Sequence, residues 1–271
     1  MSAFDGVSGQ ELFSFFAFDP DFAGGISIAT GDVNYDGRSD IIVGTLTGSS
    51  HVKVFDGDTR AEIASFFAFD GFTGGVNVAT TLGNFGDVSY GYIRRNGHTN
   101  IIVGTQSEGS HVKVFSGTDH SVLSSFMAFD ASFKGGVSVA GGDLNYDQHT
   151  EIVVGSLRGA NHVKVYNSKD NSELASFITD DSTSDSAGVS VATISDSTGE
   201  RTFDIGVGSR VGSHLKVFRF DGSTEVKSFT AFGSENPGRI SIASQSQLFG
   251  DPTESYILAS EKPFVPAWIY N

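Results

Sequence analysis

Cysteine is absent from the 271-residue chain, which excludes disulfides, thiolate metal sites and a cysteine nucleophile and leaves the redox compartment open. No run of about 18 apolar residues occurs, so no membrane insertion is expected. The opening MSAFDGVSGQELF has neither a basic n-region nor an apolar h-region, so it does not read as a signal peptide. Basic residues are few: 17 Lys and Arg stand against 32 Asp and Glu, a net charge of -15. Such a field repels polyanions, which argues against nucleic acid as a partner, and it suits a cation. Prolines number five and methionines two, beside 34 glycines and 24 phenylalanines. That balance predicts many short strands joined by tight turns.

The sequence repeats itself. GGISIAT (24–30) recurs as GGVNVAT (74–80), GGVSVAG (135–141), AGVSVAT (187–193) and GRISIAS (238–244). Each copy leads to a second apolar run, DIIVG, NIIVG, EIVVG, DIGVG or YILAS. A third run follows as HVKVF, HVKVF, HVKVY, HLKVF or the degraded AWIYN. The fourth type is ELFSFFAFD (11–19), EIASFFAFD, VLSSFMAFD, ELASFITDD or EVKSFTAFG. The opening runs begin at residues 26, 76, 137, 189 and 240. Four strands at a period of about 50 residues match the blades of a β-propeller.

The expected fold is therefore all-β: one five-bladed β-propeller of four-stranded blades over residues 1–271, with blades near 24–70, 74–130, 135–181, 187–233 and 238–271 plus 1–19. Small residues in the first run suit strands crowded around a central channel, and the aromatic fourth run suits the wide gap between neighbours. Because a fourth-type run precedes any first-type run, the N-terminal strand is expected to complete the last blade and close the ring. The rival reading is part of a longer array, since AFDG (3–6) repeats the residues that end the third run elsewhere.

DVNYDGRSD (32–40) places Asp32, Asn34, Asp36 and Asp40 at alternate inward positions, with the Arg38 carbonyl between them and Gly37 at the turn. Calcium takes about six to eight hard oxygen ligands, and such a loop supplies them between two strands. DLNYDQHTE (143–151) repeats the set as Asp143, Asn145, Asp147, the His149 carbonyl and Glu151, with Gln148 in place of the glycine. A weaker outline survives in the fourth unit as Asp196, Thr198, Glu200 and Asp204. The second and fifth units lose the spacing. Asp, Asn and Gly also favour turns for backbone reasons, but three clustered carboxylates repel one another unless a cation lies among them.

GGISIATGDVNYDGRSDIIVG and GSSHVKVFDG resemble the FG-GAP and VCBS-type repeat of integrin α-subunits, bacterial surface and secreted proteins and some fungal lectins. The resemblance implies calcium between the first and second strands of a blade, a secreted or cell-surface location, and a role in adhesion or ligand recognition. That family is best known with seven blades, so five is a departure and no binding face carries over.

His51, His111, His162 and His214 each open a third strand; they are candidate ligand-binding residues, with a hydrogen bond to a neighbouring loop as the plainer reading. Lys53, Lys113, Lys164 and Lys216 are expected to lay their stems along a blade face. Phenylalanines in FDPDF (18–22), FDGFT (69–73) and FDASF (129–133) are expected to fill space between blades, with sugar stacking as the alternative. Arg94 and Arg95 form a local basic spot in the second-unit insertion. An enzyme requires a base, acid or nucleophile that breaks the repeat, and none stands out. The sequence reads as a monomeric, non-catalytic, calcium-binding recognition or adhesion module. Its partner is a carbohydrate or an extracellular protein; a multivalent lectin, or a propeller lyase or glycosidase, is the alternative.

Overall fold

β-branched and aromatic runs punctuated by Gly, Asp and Asn fold, among the described residues, as 21 strands. The computed structural model describes residues 1–81, 99–145, 147, 149–179, 187–195, 203–211, 214–230, 240–244, 255–260 and 267–270, and among them there is no helix. Strands β1 (Ser2–Phe4) and β2 (Glu11–Ser14) form a hairpin. The first blade is β3 (Ile26–Gly31), β4 (Asp40–Thr45), β5 (His51–Phe55) and β6 (Glu62–Phe67). The second is β7 (Val76–Thr80), β8 (Ile101–Thr105), β9 (His111–Phe115) and β10 (Val122–Met127). The third is β11 (Val137–Gly142), β12 (Glu151–Ser156), β13 (His162–Asn167) and β14 (Glu173–Ile178). The fourth is β15 (Val189–Ser195), β16 (Phe203–Ser209), β17 (His214–Phe218) and β18 (Glu225–Thr230). The fifth comprises β19 (Ile240–Ser244), β20 (Ser255–Ser260) and β21 (Ala267–Tyr270). Every sheet is an antiparallel meander in chain order, and the inner strands β3, β7, β11, β15 and β19 pack side by side in that order. This is a propeller.

Two devices join neighbouring blades. The first is a pair of β-branched side chains on each of the inner strands β7, β11, β15 and β19, seated over a glycine in the second strand of the blade before. A Cβ on Gly44 would lie 2.9 Å from Val78 and 3.0 Å from Val76; one on Gly104 would lie 2.7 Å from Val137 and 2.8 Å from Val139. Gly155 and Gly208 take Val189 with Val191 and Ile240 with Ile242 in the same way. The small polar residue between the two members of each pair hydrogen-bonds across the junction: Ser27 Oγ accepts the Val78 N–H, and Ser138 and Ser190 donate to the carbonyls of Val189 and Ile240. The second device is aromatic. A fourth-strand phenylalanine meets the third-strand ring of the next blade in the pairs Phe66–Phe115, Phe126–Tyr166 and Phe177–Phe218, at 4.9, 4.8 and 5.2 Å.

The amino-terminal hairpin obeys the same rule. Its pairings Ala3↔Phe13 and Phe4↔Glu11 reproduce Val54↔Ala64 and Phe55↔Glu62 of the first blade, bulge included, so β1 and β2 are a third and a fourth strand. Phe15 meets Phe55 at 5.0 Å, as the outer strand of a preceding blade would. The expected clasp between β2 and β21 is not among the pairings of the described residues. Among the described residues β2 pairs with β1, and β21 pairs with β20 alone. The physical reason is the AFDG segment, which supplies β2 with a third strand of its own. Ile28 is 49% exposed, whereas its counterparts Val78, Val139 and Val191 are 6%, 7% and 5% exposed, because no second-strand glycine faces it.

Candidate metal centre

Pairing of β4 with β5 brings the loop before one and the turn after the other to the same end of the first blade. Asp40 opens β4 and is fully buried. Its Oδ2 accepts the N–H groups of Val33 at 2.9 Å and Asn34 at 3.1 Å, and its Oδ1 accepts that of Gly57 at 3.2 Å. Burial pushes the Asp40 carboxyl above the ordinary carboxylate range; those hydrogen bonds pull the other way, and Asp36 adds to the rise. Asp36, Asp40 and Asp56 each offer an oxygen within 4.8 Å of the others.

The remaining loop residues shape this cluster. Asp32 accepts the N–H groups of Asp36 and Gly37 at 3.0 and 2.9 Å. Asn34 donates from Nδ2 to Asp36 and Asp56, both at 3.1 Å. Gly37 takes φ of 85° and Tyr35 φ of 64°; the glycine makes that turn without a Cβ clash. The Arg38 side chain pairs with Asp58 at 2.6 Å. A carboxylate has about four lone-pair positions, so the N–H groups that hold Asp32, Asp36 and Asp40 leave oxygen capacity for a cation. The donor set, hard and carboxylate-rich, fits calcium.

The third blade repeats the frame. Glu151 Oε2 accepts the N–H of Leu144 at 2.8 Å and of Asn145 at 3.3 Å, and Asp147 N–H donates to Asp143 at 3.1 Å. The His149 N–H donates to Asp147 at 2.9 Å. Burial pushes the Glu151 carboxyl up to about 7, against the pull of the Leu144 and Asn145 hydrogen bonds and with help from Asp147 and Asp143. Asn167, the last residue of β13, stands where Asp56 stands after β5.

The second and fourth blades fill the same frame differently. Asn100 takes the place of Asp40 and its Oδ1 accepts the Gly117 N–H at 3.1 Å, a neutral replacement. In the fourth blade the buried acid is Asp204, and the Arg219 guanidinium lies 3.2 Å from its Oδ1. Arg219 follows Phe218 as Asp56 follows Phe55, and both aromatic residues pair with the second residue of the second-strand run. Asp196, Thr198 and Glu200 lie outside the described residues, as do Arg94 and Arg95.

Asp56 and Arg219 were not singled out by sequence. The signal was available in the registry of FDG, FSG, YNS and FRF after the third strands, but its meaning depends on which residues β4 and β5 set side by side.

The histidines lie elsewhere. His51, His111, His162 and His214 each hydrogen-bond through Nε2 with a serine of the fourth strand of their own blade, Ser65, Ser125, Ser176 and Ser228, at 2.8, 2.8, 2.8 and 3.0 Å. The first three also meet a phenylalanine of the preceding loop, Phe18, Phe69 and Phe129. Burial lowers all three ring pKa values, and the adjacent lysine lowers them further. The plainer reading of these histidines agrees with the geometry, with a strand serine as the partner instead of a loop. Phe69 is buried at 7% exposure, as space-filling requires. Lys53, Lys164 and Lys216 pair with Glu62, Glu173 and Glu225; in the second blade Val122 stands at the place of those glutamates, and Lys113 donates to the Ala68 carbonyl at 2.9 Å.

No family profile matches the sequence, and no curated protein matches it. Solved structures do resemble the fold. Raptor of Chaetomium thermophilum aligns with 96% of this chain at a TM-score of 0.57 and 13% identity; the chain spans about a fifth of it, 21%. BBS1N, crystallised in complex with ARL6DN, aligns with 97% of this chain and 70% of its own at a TM-score of 0.55 and 11% identity. U3-55K aligns with 89% of this chain and 63% of its own at 0.52 and 11%. At such identities the likeness is one of fold: the chain is an all-β propeller.

Proposed function

We propose that this propeller binds calcium in the first and third blades and serves as a non-catalytic recognition or adhesion module. One observation carries the metal reading. The buried acid at the head of the second strand is answered by an arginine in the fourth blade and replaced by asparagine in the second, while in the first it is joined by two further carboxylates. A buried carboxylate without a counter-charge is costly. Where the chain lacks its own cation, calcium supplies one. Asp32, Asn34, Asp36, Asp40 and Asp56 would hold it in the first blade, and Asp143, Asn145, Asp147 and Glu151 in the third, together with the Arg38 and His149 carbonyls. Bound calcium neutralises the cluster and ties the loop before the second strand to the turn after the third. Loops this exposed suit the calcium concentrations found outside cells, where modules bind with dissociation constants near 10⁻⁴–10⁻³ M, about a hundredfold to a thousandfold weaker than cytosolic sensors.

Calorimetric titration with calcium and thermal unfolding with and without chelator test the reading. Calcium should raise the unfolding midpoint, and Asp32→Ala or Asp143→Ala should each reduce the rise. An unchanged midpoint in all three proteins would sink it.

A further inference from the structure

Among the described residues, the fourth strand of each complete blade is hydrogen-bonded on one side only. In β6, β10 and β14 the residues alternate: Ala64, Ser124 and Ala175 turn towards the next blade, and their neighbours face out. The outward set carries two large apolar side chains per strand. Phe67, Met127 and Ile178 are 60%, 49% and 59% exposed, and four residues earlier Ile63, Leu123 and Leu174 are 38%, 47% and 39% exposed. Soluble proteins guard free strand edges with lysine, proline or inward charge. EIASFF, VLSSFM and ELASFI hold no lysine or proline, and their only charges, Glu62 and Glu173, stand at the first position, each paired with a lysine of its own blade.

Charge gathers at the ends and is mainly acidic, with Lys169 beside Asp170 and Arg60 before β6 as the exceptions. Exposed Asp119 and Asp130 bracket β10, exposed Asp170 precedes β14, and exposed Asp70 follows β6. Hydrogen bonds from Ser121 hold Asp119 down to about 2, and those from Ser172 and Ser132 lower Asp170 and Asp130, so all three stay ionised. A second copy pairing with these edges would bring the same aspartates against them, on a chain that already carries -15; like charges facing across a strand pair are destabilising.

We propose that these outer edges dock an extended segment of a partner protein by strand addition, the segment alternating apolar residues and carrying lysine or arginine at its ends. Backbone hydrogen bonds to the free edge give affinity, and the paired apolar residues with acidic ends give selectivity. The proposal names a partner for the recognition role and rests on it for that role alone; the calcium loops take no part.

A labelled peptide of sequence KKVTVTVKK provides the test, with fluorescence anisotropy read in the presence of calcium and again with chelator. Two controls accompany it: EEVTVTVEE, and KKVTVTVKK N-methylated at alternate residues on one edge. The protein should bind the basic peptide with or without chelator, and about tenfold or more tightly than either control. The combined variant Phe67→Thr, Met127→Thr and Ile178→Thr, checked by circular dichroism for retained strand content, should lose most of that binding. Equal binding of the methylated peptide, undiminished binding by the folded triple variant, or no binding of the basic peptide would overturn the proposal. So would sedimentation showing a wild-type dimer that the triple variant abolishes, since a second copy would then occupy the edges. Loss of peptide binding with the calcium-induced midpoint shift intact would reject strand addition alone.

Discussion

The Arg219 guanidinium sits 3.2 Å from Asp204 Oδ1 at the place where, three blades earlier, Asp56 joins Asp36 and Asp40. One frame thus holds a fixed positive side chain in one blade and an acidic cluster in another. Exchanging the two is the sharpest test of what the cluster binds. Asp56→Arg should bring a guanidinium to Asp40, lower the calcium stoichiometry measured by calorimetry by one, and leave the first blade's stability insensitive to chelator. Saturating calcium at about a hundred times its dissociation constant is worth about 2.7 kcal/mol per site, so the lost increment is readily measured. Full calcium binding by Asp56→Arg would contradict the assignment.

Asp40→Asn can keep the Gly57 hydrogen bond, as Asn100 keeps that of Gly117, but its amide nitrogen then faces the Val33 and Asn34 N–H groups. In chelator the variant should lose no more than about 1–3 kcal/mol, because removal of a buried charge offsets part of the cost of the two unpaired donors. With calcium present it should fall further below the parent. A larger loss in chelator would mean that the charge itself holds the loop.

Gly155→Ala tests the blade junction. Its Cβ would lie 2.8 Å from Val191 Cγ1 and from Ser138 Oγ, in a contact where neither neighbour has a long flexible arm. Overpacking of this kind costs about 1–3 kcal/mol, to be read as a lower urea midpoint with an unchanged slope. A neutral result would show the junction to be loose.

Acid should weaken the fold through the histidines. The folded-state pKa values of His51, His111 and His162 lie below 6.5, so below 6.5 the unfolded chain binds more protons than the native one. Their contribution is complete above the unfolded pKa and is lost as pH falls through the window between 6.5 and the lowered native values. Glu151 acts in the opposite sense in chelator, its stabilising protonation being lost as pH rises from 4.5 towards about 7. The histidine part is isolated by comparison. Replacing the three histidines with glutamine should make the loss of stability between about pH 7 and about pH 5 shallower. An unchanged slope would show that burial does not hold the rings neutral.

Much of this was legible in the sequence because the repeat is strong. The five inner runs and their small residues mark the central strands, and Phe66, Phe126 and Phe177 of the fourth runs fall between blades as expected, whereas Phe67 faces out. The loop acids of the first and third units were visible from spacing alone. Asp56 was not, because it comes from a different turn and approaches Asp40 only through the β4–β5 pairing. Arg219 was hidden for the same reason. The hairpin β1–β2 was read as one strand, since three residues of β1 are too few for a period-two pattern to register.

The exposed Ile28 has a consequence for cooperativity. Each blade packs on its sequential neighbours, so stability propagates as it does in a linear array of coupled units. A unit whose inner strand leaves Ile28 exposed lacks part of its coupling energy. Amide protons of β3 should therefore exchange faster with solvent than those of β11, which has neighbours on both flanks, and unfolding should start there.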